Sequence, residues 1–211
     1  MFKKLASVVA ALLIVVTPSR ADLVNGGFED YQAFGYDFFA GSAPTVNWAT
    51  TAPDNLLEIW ADGFFGVPAY DGNSFAELNA NFTSTLYQDV NGLGDFNNIN
   101  WHFAHRGRDG VDVIRLTITD LGIDQAWGGG DDTEILNQTF TADNTAWQYN
   151  FGSIVSIGNL TRFAFEAVSA TGGSTQGNFI DNCGFGVNAV PTPGAFALLG
   201  AGLVLLNRRR R

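Results

Sequence analysis

The sequence predicts an all-β sandwich, and three observations carry that expectation. Apolar residues recur at every second position through most of the chain, the recurring segments are short and separated by Gly, Asn and Asp, and the long 3.6-residue spacing of amphipathic helices is missing. In "DVIRLTITDL", Ile114, Leu116 and Ile118 point one way while Arg115, Thr117 and Thr119 point the other. "WQYNFGSI" alternates Trp147, Tyr149 and Phe151 with Gln148 and Asn150. "TRFAFEAVSA" and "NFIDNCGFGV" repeat the pattern through Phe163 and Phe165, then Phe179, Cys183 and Phe185. Strands are expected near 22–28, 56–60, 74–82, 85–90, 97–106, 111–119, 133–140, 147–151, 160–168 and 178–187.

The two ends differ from this pattern. Lys3 and Lys4 precede an apolar run from Leu5 to Val16, and Ser19 and Ala21 place small residues three and one before a cleavage point, so 1–21 reads as a secretory signal helix. The other end, 190–211, holds Val190, Pro191, Thr192, Pro193 and Gly194, then a short apolar helix, then Arg208, Arg209, Arg210 and Arg211. That apolar helix is shorter than the roughly 20 residues that cross a bilayer core. An uncleaved membrane anchor and a removable sorting handle both remain open. The order of parts resembles the PEP-CTERM sorting signal of Gram-negative bacteria, with Thr192 where many relatives carry Glu. The resemblance implies an exosortase as processing partner, transient residence of the C-terminal helix in the inner membrane, and delivery to the cell envelope or outside.

Between the ends, 22–189 is long enough for one domain with a sizeable core. It has no lysine, four arginines and all 21 acidic residues, a formal charge of −17 that repels nucleic acid. The lone Cys183 has no partner for an internal disulfide and reads as a small buried apolar residue.

"LVNGGFE" near the start of this region and "NFIDNCGFGV" at its end resemble the first and last strands of galactose-binding-like jelly rolls, the fold of many carbohydrate-binding modules. The resemblance implies a structural Ca²⁺ held by Glu29 and Asp181. Calcium takes six to eight oxygen ligands, so two carboxylates plus loop carbonyls would serve; turn-capping by the same two side chains is the alternative.

Catalytic patterns are weak. There is no Gly-X-Ser-X-Gly elbow and no phosphate loop, and His102 and His105, three apart on a strand, point to opposite faces. Glu58, Glu77, Glu134 and Glu166 supply carboxylates, but spacing brings no two together. Glu77 and Asn79 are expected to meet His105 or Arg106 across a sheet, as a structural network or a cleft. Five tryptophans in one domain suggest sugar platforms. Trp127, beside the loop Gly128-Gly129-Gly130-Asp131-Asp132, is the best candidate, with Trp60 and Tyr70 next, whereas Trp101 and Trp147 read as core. The expected function is a non-catalytic polysaccharide-binding module of the envelope; a structural surface protein without a small ligand and a glycoside-processing enzyme are the rivals.

Overall fold

A computed structural model describes residues 22–45, 47–187 and 189; the expected signal segment and sorting tail, with the helices expected there, lie outside them. Eleven strands are present: β1 Tyr36–Ala40, β2 Ala49–Thr50, β3 Leu56–Ala61, β4 Ser74–Glu77, β5 Thr85–Asn91, β6 Asn98–Arg106, β7 Asp112–Asp120, β8 Thr133–Ala142, β9 Gln148–Val155, β10 Leu160–Ser169 and β11 Phe179–Gly186. They form a six-stranded sheet ordered β1-β3-β4-β11-β6-β9 and a five-stranded sheet ordered β2-β5-β10-β7-β8. Every pairing is antiparallel. From β4 onward the order β4-β11-β6-β9 over β5-β10-β7-β8 is that of a jelly roll, two Greek keys folded into facing sheets.

The inner faces follow the predicted alternation. Ile99, Trp101 and Phe103 of β6 face Ile114, Leu116 and Ile118 of β7 and Phe163 and Phe165 of β10, all in one buried cluster. Aromatic pairs tie the sheets together: Phe163 stacks on Phe185 at 4.9 Å, and Phe103 meets Phe165 edge-on at 4.9 Å. Each fully buried Phe contributes about 1.5–3 kcal/mol of transfer free energy. Cys183 is free and buried in this core.

Two strands escape the alternation rule. β1 is an edge strand whose run "YDFFA" has no apolar–polar alternation, and β2 is only two residues long. Conversely, 22–28 is not a strand. Asp22 makes a single bridge to Gly186, and the Gln88 side chain then takes over, accepting from Val24 N at 3.0 Å and donating to Val24 O at 2.6 Å. Asn25 and Phe28 adopt left-handed conformations that turn the chain away. Gly26 is obligatory there, because a Cβ would collide with the Cys183 carbonyl. The expected strand 74–82 stops at Glu77, before Ala80 turns left-handed at φ 39°.

Candidate functional site

The outer face of the five-stranded sheet is built in rows. Across β5, β10, β7 and β8 the register aligns Asp89–Arg162–Thr119–Glu134, then Tyr87–Ala164–Thr117–Asn137, then Thr85–Glu166–Arg115–Thr139. Large charged side chains flank a middle row whose centre is Ala164 and Thr117, which leaves a trough of about 270 Å³. The face is polar because these are the outward positions of strands whose inward positions are Phe163, Phe165, Leu116 and Ile118.

Trp127 enters this trough from the 121–132 loop and is 58% exposed. The loop is braced by its own acids: Asp131 Oδ2 accepts from Ile123 N at 2.6 Å, Asp132 Oδ2 from Gly128 N at 2.7 Å, and Asp124 Oδ1 from Ala126 N at 2.9 Å. Backbone N–H donors, from Ile123 first, hold the Asp131 carboxyl below its usual range. Arg162 docks the loop on the sheet. Its guanidinium lies 3.9 Å from the Tyr87 ring centroid and 4.7 Å from that of Trp127, while Nε and Nη2 grip Asp89 at 2.7 and 2.9 Å. Beside it, Arg115 pairs with Glu166 at 2.7 Å, and Asn137 donates to Glu134 at 2.9 Å. The sequence missed Tyr87, Arg162, Arg115, Glu166 and Asn137 as a group. Their alternation was readable, but the pairing of β10 with both β5 and β7 was not.

The three expected platforms separate. Trp60 is only 2% exposed, enclosed with Phe75 and Phe179 in a second apolar cluster on the outer face of the six-stranded sheet. The 62–73 segment folds back over it, and its Phe64, Val67 and Ala69 pack against the cluster, so Trp60 fills space where a platform was expected. Tyr70 is 38% exposed and stacks on Tyr149 at 5.7 Å. It too belongs to the six-stranded side, because its N–H donates to Asp181 of β11 at 2.8 Å. Trp60 and Tyr70 therefore cannot share a site with Trp127. Trp101 is core as expected, and Trp147 packs edge-on against Phe75 at 5.5 Å while donating to the Pro68 carbonyl at 2.8 Å.

Glu29 and Asp181 reach the same segment from two sides. Glu29 Oε1 accepts from Asn73 N at 2.8 Å and Ser74 N at 2.9 Å; Asp181 Oδ2 accepts from Tyr70 N and Asp71 N at 2.8 and 3.0 Å, and Oδ1 from Asn182 N at 2.6 Å. Burial pushes Asp181 up to about 7. Among the described residues no group of three or more His, Cys, Asp or Glu side chains is arranged to hold a metal ion.

Glu77 takes Arg108 where Arg106 was expected: Arg108 Nη1 donates to both of its oxygens, at 3.0 and 2.9 Å. Asn79 reaches His105 through Asn178, which donates to Asn79 Oδ1 at 3.1 Å and lies 3.1 Å from His105 Nε2. Arg106 turns out to the Asn144 carbonyl at 2.7 Å. Burial lowers His105 to about 4, so it is a neutral member of this network.

No family model matches the chain, and no curated protein matches it. Solved structures do. The N-terminal CBM22-1–CBM22-2 tandem domain of Paenibacillus barcinonensis Xyn10C aligns with 85% of this chain at 12% identity and a TM-score of 0.50, the match spanning 49% of the tandem. A CBM4 structure aligns with 78% of this chain and 98% of its own, at 15% identity and a TM-score of 0.49. The C-terminal family 22 carbohydrate-binding module of Clostridium thermocellum Xyn10B aligns over 74% and 94%, at 15% identity and a TM-score of 0.48. At such identities the likeness to the tandem domain is one of fold, a two-sheet antiparallel β-sandwich.

Proposed function

We propose that this protein is a non-catalytic polysaccharide-binding module, exported to the cell envelope, which holds its polymer against the five-stranded face. The observation that carries the reading is Trp127, an exposed indole held over a polar trough. A pyranose ring stacks its C–H face on such an indole, and its hydroxyls pair with the carboxylates, guanidinium groups and amide beside it. The shared fold with a tandem of carbohydrate-binding modules supports the same reading. The test is retention of the 22–189 region on immobilised polysaccharides, the producer's own exopolysaccharide included, with Trp127→Ala alongside. Retention lost in Trp127→Ala supports the proposal; a wild type that no polysaccharide retains leaves a structural surface protein, and hydrolysis of a retained polymer makes it an enzyme.

Export rests on the signal segment and the sorting tail, and processing by an exosortase would leave mature protein without 1–21 and without Arg208 to Arg211. Intact mass of envelope protein checks both cuts. Calcium between Glu29 and Asp181 is a separate proposal. Its support is that both carboxylates converge on 70–74 and that, among the described residues, no cationic side chain pairs with buried Asp181. Against it stand the five backbone N–H groups already bonded to the two carboxylates. A melting temperature that chelator lowers in wild type but not in Asp181→Ala establishes the ion; coincident curves leave the two carboxylates as anchors of the segment.

A further inference from the structure

A second cavity, of about 350 Å³, opens on the six-stranded side, between the β1 edge and the 62–73 segment. Its walls include Tyr36 and Phe38 from β1, Glu58 and Trp60 from β3, Phe65 from the turn Phe64–Gly66, and Arg108. The rings surround one space: Tyr36 lies 5.9 Å from Phe38 and 6.2 Å from Trp60, and Trp60 lies 6.1 Å from Phe65. Phe65 is 78% exposed and sits in the left-handed region at φ 48°, ψ 26°. A bulky residue there costs energy and gains no burial.

The charge of the cavity balances only with a proton on the Glu58–Glu77 pair. Glu58 and Glu77 are directly opposite in the β3–β4 register, and the single guanidinium beside them, that of Arg108, hydrogen-bonds Glu77. Arg108 is spent on Glu77 and stacks 4.8 Å over the Trp60 ring; its other acidic neighbour, Asp109, at 3.9 Å, adds a further negative charge. Glu58 is 95% buried, receives the Trp60 indole N–H on Oε1 at 2.9 Å and shares a hydrogen bond with the Glu77 carboxyl, and burial raises its pKa as well. Burial first, and then the charge of Glu58, pushes Glu77 up to about 8, the sign of one carboxyl too many for the cations present.

We infer that this cavity binds an organic ammonium cation, with Glu58 as counter-ion and Tyr36, Phe38 and Phe65 as the aromatic walls. Ammonium groups are attracted to the faces of aromatic rings, and the Arg108–Trp60 stack shows one cation already held that way at the same place. The bound cation takes the place of the proton that the Glu58–Glu77 pair otherwise holds. The site is on the opposite side of the sandwich from Trp127 and does not rest on the polysaccharide reading.

The experiment is calorimetric titration of the 22–189 region at pH 8 with choline, whose charge is permanent, and with 3,3-dimethyl-1-butanol, its neutral isostere. Choline is expected to bind at least tenfold more tightly than the alcohol. Glu58→Gln should erase that difference, and Phe65→Ala, at an exposed position that leaves the core intact, should weaken choline at least fivefold. Equal affinity for the two probes, no saturable choline binding, or choline binding unchanged in Phe65→Ala overturns the inference. Should Glu58→Gln fail to fold, by circular dichroism, the probe pair and Phe65→Ala decide it.

Discussion

The two outer faces of the sandwich are made from the same kinds of residue and put them to opposite uses. On the six-stranded side Trp60, Arg108, Glu58 and Glu77 lie beneath or beside the 62–73 segment, so that the indole is enclosed and the guanidinium is consumed by a carboxylate. On the five-stranded side Trp127, Arg162, Arg115 and Glu166 line an open trough. The 62–73 loop folded back over one sheet turns Trp60 and the Arg108–Glu77 pair into packing, whereas the loop that stands at the rim of the other presents Trp127. Composition alone does not separate the two, because the difference lies in which loop returns to which face.

Breaking each side in turn gives effects of different size and kind. Trp60→Ala should cost about 3–5 kcal/mol of stability, by emptying a cluster that Phe75 and Phe179 cannot refill, and denaturant unfolding measures it. Trp127→Ala should weaken polysaccharide binding about tenfold or more, roughly 1.4 kcal/mol, while unfolding stability stays within about 0.5 kcal/mol of wild type. A collapsed stability with unchanged binding would make Trp127 the counterpart of Trp60.

The buried acids respond to pH in a direction that can be worked out. Glu77 at about 8 and Asp181 at about 7 keep protons in the folded protein that the unfolded chain has released, so their contribution is full below about pH 4 and is lost as pH rises towards 8. His105, lowered to about 4, works the other way, adding stability as pH rises from 4 to 6.5 and nothing further above that. Between pH 6.5 and 8 the acids act alone, and the melting temperature should fall. Glu77→Gln should flatten the fall, and a rise over that range would contradict the assignment. The smallest effect is expected from the half-exposed Arg115–Glu166 pair, where Arg115→Ala should change stability by about 0–1 kcal/mol, even if it weakens polymer binding.

Strands such as β7 were legible in the sequence because one face is buried and the other wet, which writes a period of two into the residues. β1 was not, because an edge strand that carries Tyr36, Phe38 and Phe39 with no wet–dry contrast leaves no period to read. The first segment looked like a strand from its composition, but Asn25-Gly26-Gly27 is turn chemistry, and a side chain, Gln88, supplies the hydrogen bonds a neighbour would have given. Glu77 missed Arg106 because the two pair with Phe179 from opposite sides of β11, and it found Arg108 beyond the end of β6, where the alternation between faces no longer holds. Trp127 beside three glycines was readable as exposed, whereas the enclosure of Trp60 depends on a 62–73 segment whose return path has no local signal.

The bridge between Asp22 and Gly186 places both ends of the domain at one pole, with unequal resistance to traction. Tension on the leading end peels away a segment fastened by the bridge, a Leu23-to-Phe185 hydrogen bond and the Gln88 side chain, a few bonds that yield one after another. Tension on the trailing end is transmitted to β11, which is laddered to β6 from Phe179 to Gly186 and to β4 at Phe179 and Ile180. A tether on the trailing end would thus load a longer ladder than the leading segment offers, and a domain anchored from that side would be held by more bonds than one pulled from the other.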